Sequence, residues 1–280
     1  MDFGLYVVAT PIGNFGDMSQ RAVKVLQDVD LIAAEDTRHS GRLLQFFNIQ
    51  TPAMAYHDHS DRRAVERISQ CLADGGSVAL VSDAGTPLIS DPGYRLVRHL
   101  QESGFPVRPV PGACAAVAAL SVSGLPTDRF LFEGFLPAKQ AARLTRLSAL
   151  ADERATMVFY EAPHRIEDSL RSMIEVFGDD REVVLAREIT KTFETIRRGS
   201  LGQLAEFVSA DSNQQKGEIV LVVAGRTREE DGLGADAAAL VQRLARELPA
   251  RTAAAIVAEH TGLRKKLLYQ YLLSLKNDGG

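Results

Sequence analysis

Short apolar runs alternate with amphipathic stretches along the chain. Residues 5–9 and 78–81 are continuous apolar runs with β-branched content, which is typical of strands buried on both faces. Between them, Ala22, Val25 and Leu26 recur with the spacing of one helical face. This alternation of strands and helices predicts a parallel sheet that is covered by helices on both faces.

The pattern continues into a second half that begins near Phe130. Residues 226–234 are then polar and glycine-containing, which predicts a linker, and residues 237–275 have a helical pattern. The predicted strands lie at residues 5–9, 31–34, 78–81, 107–110, 156–160, 182–186 and 218–223.

The composition is that of a globular protein, with 45% hydrophobic and 24% charged residues. No apolar run is long enough to span a bilayer, and the N-terminus lacks the basic residues of a signal peptide. Cys71 and Cys114 both have small, apolar neighbours, which argues against a disulfide framework or a zinc site. We therefore expect a cytoplasmic protein that does not associate with membranes.

Charge is distributed unevenly along the chain. The formal net charge is −4, which argues against a protein that coats nucleic acid indiscriminately. Residues 235–280 nevertheless contain seven Lys and Arg against four Asp and Glu, a local charge of +3. A basic tail on an acidic body suits selective contact with a polyanion, although a solvated helical face would have the same composition.

Glycine, proline and acidic residues cluster directly after several of the predicted strands. In parallel sheets, ligands bind beyond the carboxyl ends of the strands, so these clusters are the candidate ligand loops. Neither the G-x-G-x-x-G fingerprint of dinucleotide sites nor the G-x-x-x-x-G-K-[ST] loop of triphosphate sites occurs in the sequence. Taken alone, the loops therefore predict only a polar ligand.

Five ordered motifs carry a more specific signal. The run SDAGTPLISDPG at residues 82–93 resembles the signature of the bacterial small-subunit ribosomal RNA ribose methyltransferases, within the tetrapyrrole-methylase superfamily. The other four motifs resemble the same family. They are ATPIGN at residues 9–14, AEDTRHS at 34–40, FYEAPHR at 159–165 and AREITK at 186–191.

The resemblance implies a two-domain α/β fold, that of the class III methyltransferases, with a small C-terminal helical module. The implied regions are residues 1–118, residues 119–227 and residues 235–280, with the methyl donor in the cleft between the first two. The resemblance also implies a homodimer, S-adenosylmethionine as methyl donor, and a cytidine ribose in the decoding region of 16S ribosomal RNA as acceptor. Naked RNA and the assembled 30S subunit both remain possible substrates.

The donor site is carried over from the superfamily by position. Asp83 at the end of a strand would supply a carboxylate, while a cap or turn role is the alternative for this residue. Several of the other residues would act through backbone atoms. The expected donor-binding residues are Ile12, Gly13, Asp83, Gly85, Thr86, Ala113, Cys114, Tyr160, Ala186 and Glu218.

Methyl transfer to a ribose hydroxyl benefits from a base and from a cation beside the developing alkoxide. Glu35 and Asp36 are the candidate bases, and Arg38 and Lys191 are the candidate cations. The two acids are adjacent, so on an extended chain only one of them should face the cleft. A salt-bridged strand end is the alternative interpretation of this group.

The C-terminal segment resembles a helix-turn-helix module, with a turn at Gly262. Arg264, Lys265 and Lys266 would then contact RNA, and packing against the body or a partner subunit is the alternative. His57 and His59 lack a third ligand at a recognisable spacing, so no metal site is predicted.

Two rival functions remain. The first is a tetrapyrrole C-methyltransferase of the same superfamily. The second is a non-catalytic regulator that senses a small ligand and binds nucleic acid. The basic tail and the motif at residues 34–40 favour RNA methylation over the first rival. The second rival would bind the donor or RNA without turning it over.

Overall fold

The computed structural model describes residues 1–57, 62–227 and 235–277 of the chain. The chain divides into two compact units, Met1–Ala224 and Gly225–Gly280. Within the described ranges, no helix combines the length and the apolar character needed to cross a membrane.

The first sheet occupies the N-terminal half of the larger unit. Its strand order is β3-β2-β4-β1-β5, and every neighbouring pair is parallel. The elements are β1 (Gly4–Val8), α1 (Gln20–Asp28), β2 (Leu31–Ala34), α2 (Thr37–Phe46), β3 (Ala53–Ala55), α3 (Arg62–Ala73), β4 (Ser77–Val81), α4 (Tyr94–Glu102) and β5 (Val107–Val110).

Helices cover both faces of this sheet, as the alternating pattern predicts. The helices α1 and α2 pack on one face, and α3 and α4 pack on the other. The α1 helix begins after Ser19, whose hydroxyl accepts the Ala22 amide hydrogen, and it buries Ala22, Val25 and Leu26. Because all five strands are parallel, their carboxyl ends lie at one edge of the sheet.

The second sheet has the order β6-β7-β10-β8-β9. The pair β6 and β7 is parallel, whereas β10 is antiparallel to both β7 and β8, and β9 is antiparallel to β8. Its elements, with the preceding helix, are α5 (Ala115–Ser123), β6 (Phe130–Phe135), α6 (Gln140–Ser148), β7 (Thr156–Glu161), α7 (Ile166–Phe177), β8 (Glu182–Arg187), β9 (Thr195–Ser200), α8 (Leu201–Ala210) and β10 (Ile219–Val223).

The expectation of a parallel sheet is therefore wrong for this half of the chain. The 3-residue strand β3, the strand β6 and the edge strand β9 were also not predicted. One face of the second sheet packs against α6, α7 and α8, and the other packs against α5. The predicted domain boundary at residues 118 and 119 stays a prediction, and this position lies within α5.

The smaller unit contains α9 (Ala235–Glu247), α10 (Ala250–Thr261) and α11 (Lys265–Asn277). The α10 helix ends at Gly262, which has the left-handed φ of 72° that favours glycine at this position. Val241, Val257 and Leu268 lie in the core that these helices share. The predicted C-terminal helical module with a turn at Gly262 is thus confirmed. Most of the predicted linker lies outside the described residues.

Candidate active site

A cleft of about 400 Å³ lies within the larger unit, between loops of the first sheet and strand ends of the second. Both sheets contribute to it. The lining residues are Ile12, Glu35, Asp83, Ala84, Gly85, Thr86, Ile89, Ser90, Asp91, Cys114, Ala115, Phe135, Tyr160, Glu161, Ala162, Pro163, Gly217, Glu218, Ile219 and Val220.

Backbone hydrogen bonds join the loops on the first-sheet side. The amide of Thr10 donates to the carbonyl of Gly85 (2.8 Å), and the Gly85 amide donates to the Thr10 carbonyl (3.1 Å). The Thr86 hydroxyl donates to the Ala113 carbonyl at 2.9 Å. Gly85 has φ +80°, and an added Cβ would lie 3.4 Å from Ile12. Glycine thus permits both the turn and the close approach of the two loops.

Backbone strain is concentrated beside the cleft. Among the described residues, five non-glycine residues have positive φ, and four of these lie in two loops. Leu88 and Ser90 are in the loop that follows β4, and Glu188 and Thr190 are in the loop that follows β8. Such conformations persist only where the surrounding structure imposes them, and they occur often in functional sites.

Carboxylates from two loops meet on the first-sheet side. The Asp36 amide donates to Asp83 Oδ1 (3.2 Å), and the Asp83 amide approaches Glu35 Oε2 at 3.4 Å. Burial raises the pKa of Glu35. The hydrogen bond from the Asp83 amide lowers this pKa, but the negative charges of Asp91 and Asp83 act in the same direction as burial, so the pKa stays raised. Burial, together with Asp83 and Glu218, also raises the pKa of Asp91. The cleft therefore favours a positively charged ligand.

The two adjacent acids have different surroundings. Glu35 lines the cleft, whereas Asp36 caps α2, where its carboxylate accepts the Arg38 amide hydrogen at 2.7 Å. Arg38 is exposed in the first turn of the same helix. Of these three side chains, only that of Glu35 reaches the cleft.

On the second-sheet side, Tyr160 contacts the rings of Phe132 and Phe135, with centroids 5.0 and 5.6 Å away. Its hydroxyl accepts the Ala116 amide hydrogen at 3.1 Å, at the first turn of α5. Burial and the neighbouring Cys114 raise the pKa of the phenol, so the hydroxyl remains protonated.

A buried ion pair supports the neighbouring turn. Glu161 is 3% exposed, and its carboxylate pairs with Arg165 (2.7 Å) and accepts the hydroxyl of Ser169. The Ala162 amide also donates to Glu161, at 2.7 Å. These contacts fix the turn that carries Ala162 and Pro163 into the cleft.

Lys191 lies at the edge of the cleft, between two carboxylates. Its ammonium is 2.9 Å from Glu188 and 3.2 Å from Glu218. Burial lowers the pKa of Lys191, but its hydrogen bond to Glu188 and the charge of Glu218 outweigh burial and leave that pKa raised. Gly13 faces the aliphatic part of this side chain so closely that a Cβ would overlap it.

Most of the expected donor-binding residues line this one cleft. Ile12, Asp83, Gly85, Thr86, Cys114, Tyr160 and Glu218 do so. Ala113 contacts Thr86, Gly13 contacts Lys191, and Ala186 is fully buried beneath α5. The structure adds residues that were not predicted, among them Ile89, Asp91 and Pro163. Asp91 is the second acid of the run at residues 82–93, where Ser-Asp occurs twice. That repeated dipeptide could have indicated that Asp91, like Asp83, belongs to the site.

Arg264, Lys265 and Lys266 are exposed at the start of α11, in the smaller unit. Within the described ranges, no group of three His, Cys, Asp or Glu side chains is placed to hold a metal ion. His57 is described, but His59 lies outside the described residues.

The fold has counterparts among known proteins. Residues 4–205 match the family described as Tetrapyrrole (Corrin/Porphyrin) Methylases. The fold is similar to that of uroporphyrin-III-C-methyltransferase from Thermus thermophilus (TM-score 0.55, 21% identity, 79% of this chain and 93% of that one). It is also similar to cobalt precorrin-4 methyltransferase (TM-score 0.59, 17% identity, 78% and 93%). Together, the match and the fold define a methyltransferase of the tetrapyrrole-methylase class.

Relatives with much higher identity narrow this class. The chain is 56% identical to Ribosomal RNA small subunit methyltransferase I of Pseudomonas aeruginosa, over 96% of both chains. It is 53% identical to the protein of the same name in Escherichia coli O157:H7, over 96% of this chain and 94% of that one. Residues 231–276 match a segment described as RsmI C-terminal HTH domain. The chain belongs to the ribosomal RNA small subunit methyltransferase I family, which confirms the resemblance seen in its motifs.

Proposed function

We propose that the chain transfers a methyl group from S-adenosylmethionine to the 2′-hydroxyl of a cytidine ribose in the decoding region of 16S ribosomal RNA. One observation carries the proposal. The cleft has an acidic side and an apolar side, and it lies in a chain that aligns almost end to end with relatives whose names are ribosomal RNA small subunit methyltransferase I. The choice of a cytidine ribose rests on the sequence motifs.

The cleft residues suit this donor. S-adenosylmethionine supplies an electrophilic methyl group on a positively charged sulfonium. Glu35, Asp83, Asp91 and Glu218 provide the negative charge that favours a cation, and Ile12, like other residues of the lining, provides apolar surface. The backbone near Gly85 and Thr86 would hold the polar edges of the donor, together with Gly13, Ala113, Cys114, Tyr160 and Ala186.

Glu35 is the better of the two candidate bases. It lines the cleft, whereas the carboxylate of Asp36 already accepts a hydrogen bond at the start of α2. Burial raises the pKa of Glu35, and a carboxylate with a raised pKa is a stronger base. Glu35 would take the proton of the ribose hydroxyl as the hydroxyl oxygen bonds to the methyl carbon and the bond from that carbon to the sulfonium sulfur breaks, so that the sulfur leaves as a neutral thioether. Lys191, at the edge of the cleft, would stabilise the developing alkoxide, and Arg38, which does not reach the cleft, would stabilise a phosphate.

The smaller unit would bind RNA through the first turn of α11. Arg264, Lys265 and Lys266 are exposed there, in a module with helix-turn-helix resemblance. If Lys265 and Lys266 contact phosphates, each change to Gln should reduce the salt dependence of RNA affinity by about one ion. An unchanged salt dependence would assign this surface to protein packing.

The homodimer is proposed to form through the outer face of α5. This helix contains only Ala, Val, Leu and Ser. Val117 and Val122 are 55% and 54% exposed, although α5 packs on the second sheet with its other face. An apolar helix with an exposed side suits contact with a second copy. We further propose that the protein acts in the cytoplasm, where its RNA substrate is assembled.

The test is methyl transfer by the full-length chain from labelled S-adenosylmethionine to small ribosomal subunits from cells that lack this protein. Nuclease mapping of the product should find a 2′-O-methylated cytidine in the decoding region. Parallel reactions with naked 16S RNA would identify the form of the substrate, and a tetrapyrrole precursor would test the rival activity.

Label in the tetrapyrrole and not in RNA would overturn the proposal. Donor binding without transfer to either acceptor would instead favour the regulatory alternative.

A further inference from the structure

One face of α2 has a composition that its own fold does not explain. Arg38, Gly41, Arg42, Gln45 and Phe46 recur with helical spacing, so they lie on the same side of the helix. All except Gly41 are exposed, and α2 contains no acidic residue. We call this set the α2 face.

The two arginines of the α2 face do not stabilise the protein in an evident way. Within the described ranges, neither Arg38 nor Arg42 has a side-chain hydrogen bond or an ion pair. Arg38 lies in the first turn of α2, where the helix dipole disfavours a cation. Both guanidinium groups are therefore available to an external anion.

Gly41 is placed between these arginines, in the helix interior. Glycine destabilises a helix relative to alanine at such a position, so a packing reason is usual. Here an added Cβ would meet no described atom within 4 Å, and φ is not positive. The open space beside Gly41 is consistent with close approach by a partner from outside.

Aromatic rings occupy the far end of the same face. Phe46 is 61% exposed and Phe15 is 38% exposed, and their ring centroids are 4.7 Å apart. Phe47 lies beneath them, 4.9 Å from Phe46, and packs on the core. The result is a supported pair of aromatic side chains that remains accessible to solvent.

The α2 face leads away from the candidate active site. Glu35 lines the cleft and precedes α2 by two residues, while Phe15 follows the cleft residue Ile12 by three. The helix is about 15 Å long, which sets the distance from its start to the aromatic pair.

We propose that the α2 face and Phe15 bind the RNA strand that flanks the methylated nucleotide. Arg38 and Arg42 contact its phosphates, Gly41 admits its backbone, and Phe15 with Phe46 stacks an unpaired base. This inference rests on the proposed function. A second copy of the chain fits less well, because the α2 face contains two arginines and no acid, so a second copy of this face offers no opposite charge.

The first experiment measures binding of a fluorescein-labelled, unpaired RNA oligonucleotide to the full-length chain, alongside kcat and KM for small ribosomal subunits. The change Phe46→Ala should weaken RNA binding and raise KM about tenfold, with kcat and donor affinity unchanged. Phe46→Tyr should restore binding, whereas Phe46→Leu should not, because leucine keeps the apolar surface but loses the ring.

Arg42→Gln should weaken RNA binding several-fold and reduce its salt dependence by about one ion. Arg67→Gln is the matched control, because Arg67 is an exposed arginine on α3, at the opposite face of the same sheet. It should leave both quantities unchanged.

Gly41→Ala separates binding from stability. It should raise the melting temperature by a few degrees, because alanine is the better helix former, and yet weaken RNA binding. Normal RNA affinity in this variant, in Phe46→Ala and in Arg42→Gln would overturn the proposal.

The proposal would also be overturned, in favour of a protein interface, if Phe46→Leu restored RNA binding as fully as Phe46→Tyr. Loss of the oligomer in Phe46→Ala would lead to the same conclusion. If the unmodified chain transfers no methyl group to RNA, the proposed function fails. The oligonucleotide measurement still decides whether this surface binds RNA.

Discussion

The two sheets of the larger unit contribute to one cleft in different ways. The first sheet is wholly parallel, and its side of the cleft consists of loops that follow strand ends and carry Glu35, Asp83 and Asp91. In the second sheet, the antiparallel strand β10 runs between β7 and β8. Its side therefore combines the ends of two strands with the start of a third, near Glu218.

This difference separates two kinds of site residue. On the first side the carboxylates are only partly buried, and two of them have raised pKa values, as expected for groups that meet a charged ligand. On the second side, Glu161 is buried in an ion pair with Arg165 that shapes a turn. Changes at Glu35, Asp83 and Asp91 should therefore affect ligand binding, whereas changes at Glu161 should affect stability.

The largest expected effect is on donor binding. Asp83→Ala should weaken S-adenosylmethionine binding about a hundredfold, because a hydrogen bond to a charged group is lost together with the charge. Isothermal titration calorimetry measures the affinity, and circular dichroism checks the fold. The control is Asp74→Ala, at an exposed acid that follows α3. Unchanged donor affinity in Asp83→Ala would show that the cleft is not the donor site.

Next in size is a loss of stability on the second side. Glu161→Ala leaves Arg165 partly buried without its partner, so the free energy of unfolding should fall by about 3 kcal/mol. Urea denaturation measures the change. The exposed pair of Asp168 and Arg171 is the control, where Asp168→Ala should cost less than about 1 kcal/mol. Equal losses of unfolding free energy in Glu161→Ala and Asp168→Ala would contradict the structural role proposed for the buried ion pair.

A smaller effect is expected where α5 meets the second sheet. Tyr160→Phe removes the acceptor of the Ala116 amide hydrogen and should lower the free energy of unfolding by about 1 kcal/mol. The same denaturation experiment applies. A loss of donor affinity without any loss of stability would assign the hydroxyl to ligand binding.

The smallest effect concerns pH. Because the pKa of Glu35 is raised in the folded protein, this carboxyl stabilises the fold at low pH and loses that contribution as pH rises through the raised value. Glu35→Gln should thus be slightly more stable than the unmodified chain at neutral pH, with the difference vanishing below the ordinary pKa of 4.5. Urea denaturation of both proteins at neutral pH and below pH 4.5 tests the sign of this stability difference. Glu66→Gln, at an exposed acid on α3, controls for net charge.

Sequence pattern predicted the first sheet better than the second. The strands β1, β2 and β4 are buried apolar runs that stand out from the helices between them. The strand β5 was also predicted, although it contains Arg108 and Pro109 and is only partly buried. The strand β3 has only three residues and lies at an edge, and β9 contains Arg197 and Arg198, so neither has the expected hydrophobic pattern. Strand direction also has no signature in a buried apolar run, because parallel and antiparallel central strands are equally hydrophobic.

By itself, the sequence determined the α/β class, the C-terminal helical module, the methyltransferase family and the loops from which the cleft is built. Local hydrophobic spacing and motif residues carry that information. Only the tertiary structure decided that Glu35 and not Asp36 lines the cleft, that Asp91 joins it, and that Lys191 lies between Glu188 and Glu218. These relations join residues as far apart in the chain as Asp91 and Glu218, and they depend on strand order and on loop conformations with positive φ. Neither is encoded in a local pattern, because both arise from packing between distant segments.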